Sequence, residues 1–505
     1  MIHRTLRYAG TCVAALALAA LPLVVATDHA VARELTLDQA LDIALKQTMR
    51  GEMIEGNLEV AEQLYSARRI NMYLPEISIN GSLPSYRKAQ AYQPYRNPLD
   101  RQPFRTRNLD FNSFVELKQT LFTGGTITAT ADLVSEDKRY PDTRYEPLSG
   151  LFVDQYSKQG SFSFSLQQSL FRPSSVRNEL NNRKDDLEIA RVTRLEQTAA
   201  LRKEVTEAYL GVIQQTLKAQ MAANRLEKAR LQEGIDSAKL SDGVLSEEDF
   251  LLSSSNKLDA ELESRAAETQ LGETKRELAT LLDLDVNEPL ELAEPEATAH
   301  LDQAMTQGLI AQWESATPIT KAAHEYAKAK RGADYAAAGH GLTGDLATSY
   351  AFGNQKIKTD RIVDNNGSGG SMEENVSTDS WTVALQFRLP LWDGGAGSAA
   401  VRASRYQAEQ ANYEFTRAQR SARATIVNLV NKLDVSYQRL DIIRKQIGLA
   451  EKRLEIAKGR FDDGRISQLT LLESEIFLRE TKDRYLEELK QYLLNRIELE
   501  SQYIS

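Results

Sequence analysis

The chain is written twice. "LDQA" at Leu37 to Ala40 returns at Leu301 to Ala304, and the same shift carries Ser85-Tyr86 onto Ser349-Tyr350. A second, shorter shift lays "SLF" from Ser169 over "PLW" from Pro390 and Asp242-Gly243 over Asp463-Gly464. Self-similarity at this scale means one multi-element unit used twice, so any fold must accommodate an internal two-fold repeat. The two shifts differ, so the first copy holds about 43 additional residues between Tyr86 and Ser169.

Both copies read in the same order. A helical stretch (Thr36 to Met72; His300 to Ala337) leads into a strand (Pro75 to Tyr86; Gly341 to Gly353), and a long loop follows. A second strand (Ser161 to Phe171; Trp381 to Leu391) enters a long helix, Pro173 to Leu240 or Ala396 to Phe461. A tight turn containing Asp-Gly reverses the chain into a shorter helix, Ser246 to Leu282 or Ser467 to Ile504. At ~1.5 Å per residue the long helices span ~100 Å and the short ones ~55 Å, so two short helices end to end match one long one. The Pro- and Glu-rich segment Asp283 to Ala299 is expected to join a lower half-helix to the upper one that follows it in sequence. The first half-helix is expected to stack above the last.

The helices carry a narrow, Ala-rich coiled-coil seam. Ile426, Val430, Leu433, Tyr437 and Leu440, then Ile447, Ala450, Leu454, Ala457 and Phe461, recur at steps of three and four, and Leu201, Val205, Ala208 and Val212 begin the same pattern in the first copy. A soluble periplasmic coiled-coil scaffold protein would show the same pattern. The strands separate the two readings. In "SWTVALQFRLPLWDGG", Trp381, Val383, Leu385, Phe387 and Leu389 share one parity, while Thr382, Ala384, Gln386 and Arg388 share the other. Phe162, Phe164 and Leu166 likewise alternate with Ser161, Ser163, Ser165 and Gln167. Bulky residues on one face and small hydrophilic ones on the other suit a wall between lipid and water.

The address agrees. Residues 1–32 carry Arg4 and Arg7, an apolar run from Cys12 to Ala26, and Ala30-Val31-Ala32, which together read as a secretory signal peptide. Cys12 lacks the preceding apolar run of a lipid-attachment site. It is the only cysteine, so the remainder can form neither a disulfide nor a thiolate metal site. No later stretch reaches the ~18 apolar residues of a membrane-spanning helix, which leaves a closed β-barrel as the way to span a bilayer. Two to six strands per chain cannot enclose water, so several chains must share one barrel. The formal net charge of −9 argues against nucleic acid as a partner.

Catalytic signatures are missing. "GHGLTG", Gly339 to Gly344, has dinucleotide spacing but follows a helix and enters a strand, the reverse of the context that would aim a helix N-terminus at a pyrophosphate. His300, His324 and His340 are too scattered for a ligand cluster. No enzyme, cofactor or metal is expected.

These features resemble the TolC-type outer-membrane efflux proteins. The resemblance runs through "LTLDQALDIALKQ" near the start, "LPLWDGGAGSAAVRASRYQAEQANYEF" after the last strand and "RFDDGRISQLTLLESE" at the second tip. It implies a mainly α chain with a transmembrane β-barrel portion. Long antiparallel coiled-coil helices would form a trimeric periplasmic α-barrel, and each chain would contribute strands to one shared outer-membrane β-barrel. The expected organisation is a signal peptide at 1–32, a first repeat at 33–299 and a second at 300–505. The implied function is the outer-membrane exit duct of a tripartite efflux or type I secretion system. Its partners are two further copies (a homotrimer), a periplasmic adaptor (membrane fusion protein), an inner-membrane transporter of RND or ABC type, and outer-membrane lipid.

Three local expectations follow. "FVELKQTLFTGGTITATADL" reads as a hairpin turning at Gly124-Gly125, either adding two strands to the barrel or lying outside the bilayer and leaving four strands per chain. The tips "LSDGVLS" and "FDDGRIS" are turn chemistry; the resemblance adds adaptor contacts at Gly243, Leu245, Ser246, Gly464, Ile466 and Ser467. It also implies a periplasmic gate. Asp249 matches the family's tethering aspartate, Arg465 lies one residue from its arginine partner, Glu473 matches an acidic ring and Thr470 stands where another ring has its acid. The alternative is that these are solvated helix residues.

Overall fold

A computed structural model describes residues 35–502 apart from 96, 142–151, 287–289, 296–306, 309 and 363–369. The signal-peptide segment, the second "LDQA" and His300 lie outside the described residues. Two helices, α1 (Leu37–Lys46) and α2 (Met49–Tyr73), lead into strands β1 (Glu76–Tyr95), β2 (Asn97–Thr120), β3 (Thr126–Pro141) and β4 (Phe152–Leu170). The long helix α3 (Ser175–Ser241) turns into α4 (Glu247–Leu281). Then come α5 (Thr317–His340), β5 (Thr343–Ile362), β6 (Ser371–Arg388), the long helix α6 (Ala396–Asp462) and α7 (Gln468–Ser501). Both long helices have 67 residues, as their heptad-like spacing predicts.

The first half-helix is not continuous. The chain breaks at Thr48, whose hydroxyl both donates to the Ala44 carbonyl at 2.6 Å and accepts from the Gly51 amide at 3.1 Å. Gly51 is required there: a Cβ would stand 2.3 Å from the Leu45 carbonyl oxygen. α1 itself starts in a capping box, with Thr36 accepting from the Gln39 amide and the Gln39 side chain accepting in return. The second half-helix is also interrupted among the described residues: 307–308 and 310–311 are helical, Trp313–Ser315 forms a 3-10 turn, and α5 begins at Thr317, followed by Pro318 in its first turn.

The half-helices stack differently from the sequence expectation. The Met49 amide donates to Asp283 Oδ2 at 2.9 Å, so the end of α4 abuts the start of α2. The Thr317 amide donates to the Gln502 carbonyl at 2.8 Å, so the end of α7 abuts the start of α5. α2 and α4 both lie along α3, and α5 and α7 both lie along α6. Each long helix therefore carries the two half-helices of its own copy. The joint after α4 crosses to the next column instead of continuing upward, strapped by a parallel bridge between Leu35 and Leu292. The Tyr209 hydroxyl seals that strap, 2.7 Å from the carbonyls of both Leu35 and Ala293.

The core sits at this equator. Leu201, Val205, Tyr209 and Val212 of α3 pack with Leu278 and Leu282 at the end of α4, Ile426 of α6, and Leu489 and Tyr492 of α7, all essentially buried. Toward the tip, polar pairs replace it: Arg225 bridges Glu263 of α4 and Glu480 of α7, and Lys228 reaches Glu473. α3 thus lies between α2/α4 and α5/α7, with α6 beyond, in one layer.

One carboxylate in that layer is poorly placed. Asp483 of α7 has a buried side-chain oxygen without a partner, and burial raises its pKa from the usual carboxylate value. A folded-state pKa above the unfolded one contributes stability at acid pH that is lost as pH rises through the folded value. Asp483→Asn is therefore expected to stabilise the protein near neutral pH by about 1 kcal/mol. Thermal unfolding should show the gain shrinking toward zero as the pH falls below the unfolded carboxylate pKa.

The sheet has six antiparallel strands in sequence order, β1-β2-β3-β4-β5-β6. The Gly124-Gly125 hairpin is part of it. Gly124 takes φ +91°, the Leu121 amide donates to the Gly125 carbonyl at 2.7 Å, and a Cβ on Gly125 would meet Gln168 Oε1 at 2.4 Å. Of the two sequence readings of this segment, the structure has the one with β2 and β3 paired into the sheet. The expected long loops are largely strand as well: β1 runs to Tyr95, β4 begins at Phe152, β5 runs to Ile362 and β6 begins at Ser371. Their outer halves carry Lys, Arg, Asp and Asn on both faces, so apolar alternation could not reveal them. The sheet is not closed within one chain; β1 and β6 are its open edges.

Candidate functional site

The two ends of the molecule carry the candidate sites. At the sheet end, the register aligns the apolar parity of every strand. Ile77, Leu117, Ala129, Phe164, Tyr350 and Trp381 stand side by side across all six strands. The next row is Ile79, Val115, Ala131, Phe162 and Phe352 on β1 to β5, with Asp379 opposite Phe352 on β6. Trp381, Val383, Leu385, Phe387 and Leu389, the residues expected to face lipid, are exposed at 56–77%. From Trp381 to Leu389 is ~26 Å along a strand, or ~20 Å once tilted by ~40°, comparable with the ~25 Å apolar band of an outer-membrane barrel.

The opposite face is hydrophilic and internally bonded. Thr130 and Ser163 are 2.6 Å apart, Ser161 donates to Asp132 at 3.2 Å, Gln355 donates to Ser157 at 2.8 Å and Ser169 donates to Asp345 at 2.8 Å. β2 and β3 share this division of faces with the other strands.

At the helical end, both tips follow one design. Gly243 and Gly464 adopt the left-handed region, φ +72° and +67°, where glycine carries no Cβ penalty. The Val244 amide reaches back to the Lys239 carbonyl and the Arg465 amide to the Arg460 carbonyl, closing the long helices in Schellman turns. Three residues past each glycine a serine caps the next helix: Ser246 accepts from the Asp249 amide and Ser467 from the Thr470 amide. Nothing lies within 4 Å of a Cβ built on either glycine, so both tips face open space. Leu245 and Ile466 are half-buried against their hairpins, while Ser246 and Ser467 are exposed.

The gate residues are not brought together within one chain. Asp249 Oδ2 accepts from the Ser246 hydroxyl at 2.6 Å, and Arg465, three-quarters exposed, lies 3.6 Å from Asp463. Glu473 accepts from Lys228 of α3 at 2.8 Å, and Thr470 stays at the cap of α7. Elsewhere, His324 and Arg331 of α5 converge on Asp185 of α3, with His324 Nδ1 2.8 Å from a carboxylate oxygen. Sequence spacing held no sign of that cluster, which binds two helices from different copies. Among the described residues no group of three or more His, Cys, Asp or Glu is arranged to hold a metal ion, and no helix is long and apolar enough to cross a membrane.

An amphipathic antiparallel sheet continuing into a layer of long paired helices defines a class of fold, the sheet-and-long-helix architecture. The family model described as outer membrane efflux protein matches residues 314–502. Outer membrane protein TolC of Escherichia coli (strain K12) is 21% identical over 163 residues, which is 32% of this chain and 32% of TolC. The matched stretch thus spans about a third of that relative. Over nearly the whole chain the fold is similar to those of Vibrio cholerae VceC and the Campylobacter jejuni CmeC outer membrane channel. VceC has a TM-score of 0.54 at 13% identity, covering 92% of this chain and 94% of that one. CmeC has a TM-score of 0.56 at 12% identity, covering 92% and 85%. Residues 314–502 thus match the outer-membrane efflux protein family, whose members are located in the outer membrane and extend into the periplasm, and the rest of the chain shares the fold of such channels.

Proposed function

We propose that this chain is the outer-membrane exit duct of a tripartite efflux or type I secretion system, open to passive passage along the axis of a homotrimer. One observation carries the reading. The open edges of the sheet and of the helical layer coincide: β1 continues from α2 at one flank, and β6 continues into α6 at the other. A single head-to-tail contact, β6 and α6 of one copy against β1, α2 and α4 of the next, supplies partners for both, and such a contact forms a ring when the rotation between copies closes. In lipid an unpaired strand edge costs several kcal/mol per polar group, which favours closure. Three copies of six strands make eighteen, a barrel about half again as wide as one of twelve. The two copies of the sequence unit, 33–299 and 300–505, then form alternate columns of the periplasmic wall.

At the far end the tips at Gly243, Leu245, Ser246, Gly464, Ile466 and Ser467 present exposed turns to a periplasmic adaptor, which couples them to an inner-membrane transporter of RND or ABC type. The gate is a contact between copies. Asp249 and Arg465 tether neighbouring hairpins in the closed state, Glu473 lines the constriction, and Thr470 supplies no charge where an acidic ring would attract cations. Planar-bilayer recording tests both levels. The purified oligomer should conduct, and Asp249→Asn and Arg465→Gln should each raise single-channel conductance severalfold. A soluble, non-conducting monomer would end the duct reading. Unchanged conductance in both variants, with trimers intact, would end only the gate.

A further inference from the structure

Above the apolar rows, the same face of the sheet becomes charged, with the cations Lys88, Arg107, Arg139, Lys158, Lys356 and Lys358 outnumbering the carboxylates Asp137, Asp154, Asp360 and Glu373 among the described residues. Lys158 is four residues from Phe162 and six from Phe164, and Lys356 bears the same relation to Phe352 and Tyr350, so both lysines share the apolar parity. The register sets Lys158 directly opposite Lys356. Toward the β1 edge, Lys88, Arg107 and Arg139 stand in one row across β1, β2 and β3. The irregularity between Ser82 and Ser85 brings Lys88 onto the outward parity that Ile77 and Ile79 hold lower on β1. Like charges facing each other across strands repel, and here they are gathered in a chain whose net charge is −9.

Some of these cations are neutralised within the protein. Arg139 is held by Asp154 through a two-pronged contact at 2.5 and 2.6 Å, and Lys356 lies 3.3 Å from Glu373. Lys88, Arg107 and Lys158 have no carboxylate within ion-pair distance among the described residues, and all three are exposed. Lys158 lies ~13 Å along the strand beyond Phe162, or ~10 Å in height at a ~40° tilt. That is the level at which an apolar band gives way to headgroups.

We propose that Lys88, Arg107 and Lys158 form an outward-facing collar that binds the phosphate groups of the outer-leaflet lipid. The inference rests on the sheet being a membrane wall. Arg107 offers a planar fork suited to a phosphate oxygen pair with Lys88 directly opposite it, while Lys158, two strands over and four residues nearer the apolar band, is a separate point charge for a second phosphate. Because the three lie on β1, β2 and β4, one ring of copies presents a repeating belt of such sites. A multiply phosphorylated glycolipid fits this belt better than a zwitterionic phospholipid, whose own cation would be repelled.

The test uses the detergent-purified oligomer, exchanged into nanodiscs of phosphatidylcholine with or without a bis-phosphorylated lipid A. After delipidation, native mass spectrometry counts the lipid A molecules retained. Wild type should hold at least tenfold more than Lys88→Gln/Arg107→Gln/Lys158→Gln, with retention falling as salt rises and conductance the same in both. If the triple variant does not assemble, Lys158→Gln alone should still lower retention severalfold. Equal retention by wild type and variant overturns the collar, as does complete displacement of lipid A by millimolar inorganic phosphate, which would mark a free-anion site. Since conductance is read in the same preparation, loss of the collar is distinguishable from failure of the channel reading.

Discussion

Deletion of Arg107 to Lys138 is expected to leave no detergent-resistant oligomer in the outer membrane. The deletion removes the part of β2 that pairs with β1 through Glu76↔Lys118 to Lys88↔Arg107 and the part of β3 that pairs with β4. It also takes Val115, Leu117, Ala129 and Ala131 out of the apolar rows. Strand edges left unpaired in hydrocarbon expose peptide groups at several kcal/mol each, far beyond a domain's net stability of about 5–15 kcal/mol. Heat-modifiability on gels, with outer-membrane fractionation, reads the outcome. A deletion variant that still assembles and conducts, with a narrower pore, would show that β2 and β3 are dispensable and that four strands per chain suffice.

The second large effect lies on α6. Val435, Ile442, Leu449 and Ile456 repeat at heptad spacing and are 46–68% exposed, while Leu433, Leu440, Ala450 and Ala457 face inward and are buried. One helix thus carries two apolar stripes, and the chain covers only one of them. At the opposite flank Leu251, Leu258 and Leu262 of α4 are 58–67% exposed. Burying a Leu or Ile contributes about 1.5–3 kcal/mol, and the contact recurs at every junction of a ring. Ile442→Asp/Leu449→Asp should therefore leave the helical content of the chain unchanged and shift the purified protein from oligomer to monomer. Mass photometry in detergent decides it, and an unaltered oligomer would place this stripe outside the interface.

Much of the candidate site is legible in the residues themselves because its signals are local. Period-two alternation marks "SWTVALQFRL" as a strand apolar on one face, and Asp-Gly followed by a serine marks each tip, since a left-handed glycine and an N-cap serve any hairpin of helices. The gate residues are a different case. Asp249 and Arg465 lie on tips whose partners within the chain are Ser246 and Asp463, and their roles depend on a neighbouring copy.

By itself the sequence determined the two long helices, their narrow seam, the Asp-Gly turns and the apolar parity of the strands. Each of these is a repeating pattern in which backbone geometry alone fixes which side chains share a face. Tertiary structure alone decided what depends on contacts between distant segments. The break at Thr48 follows from the close approach of Gly51 to Leu45 and from Asp283 capping Met49. The pairing of α4 with α2 and of α7 with α5 rests on hydrogen bonds between residues far apart in the chain, Met49 with Asp283 and Thr317 with Gln502, which no periodicity encodes. The same holds for strand length. Beyond the apolar band Lys158, Lys356 and Arg139 remain in strand because the neighbouring backbone continues the ladder, so hydrogen bonding across the sheet, not side-chain hydrophobicity, sets where each strand ends.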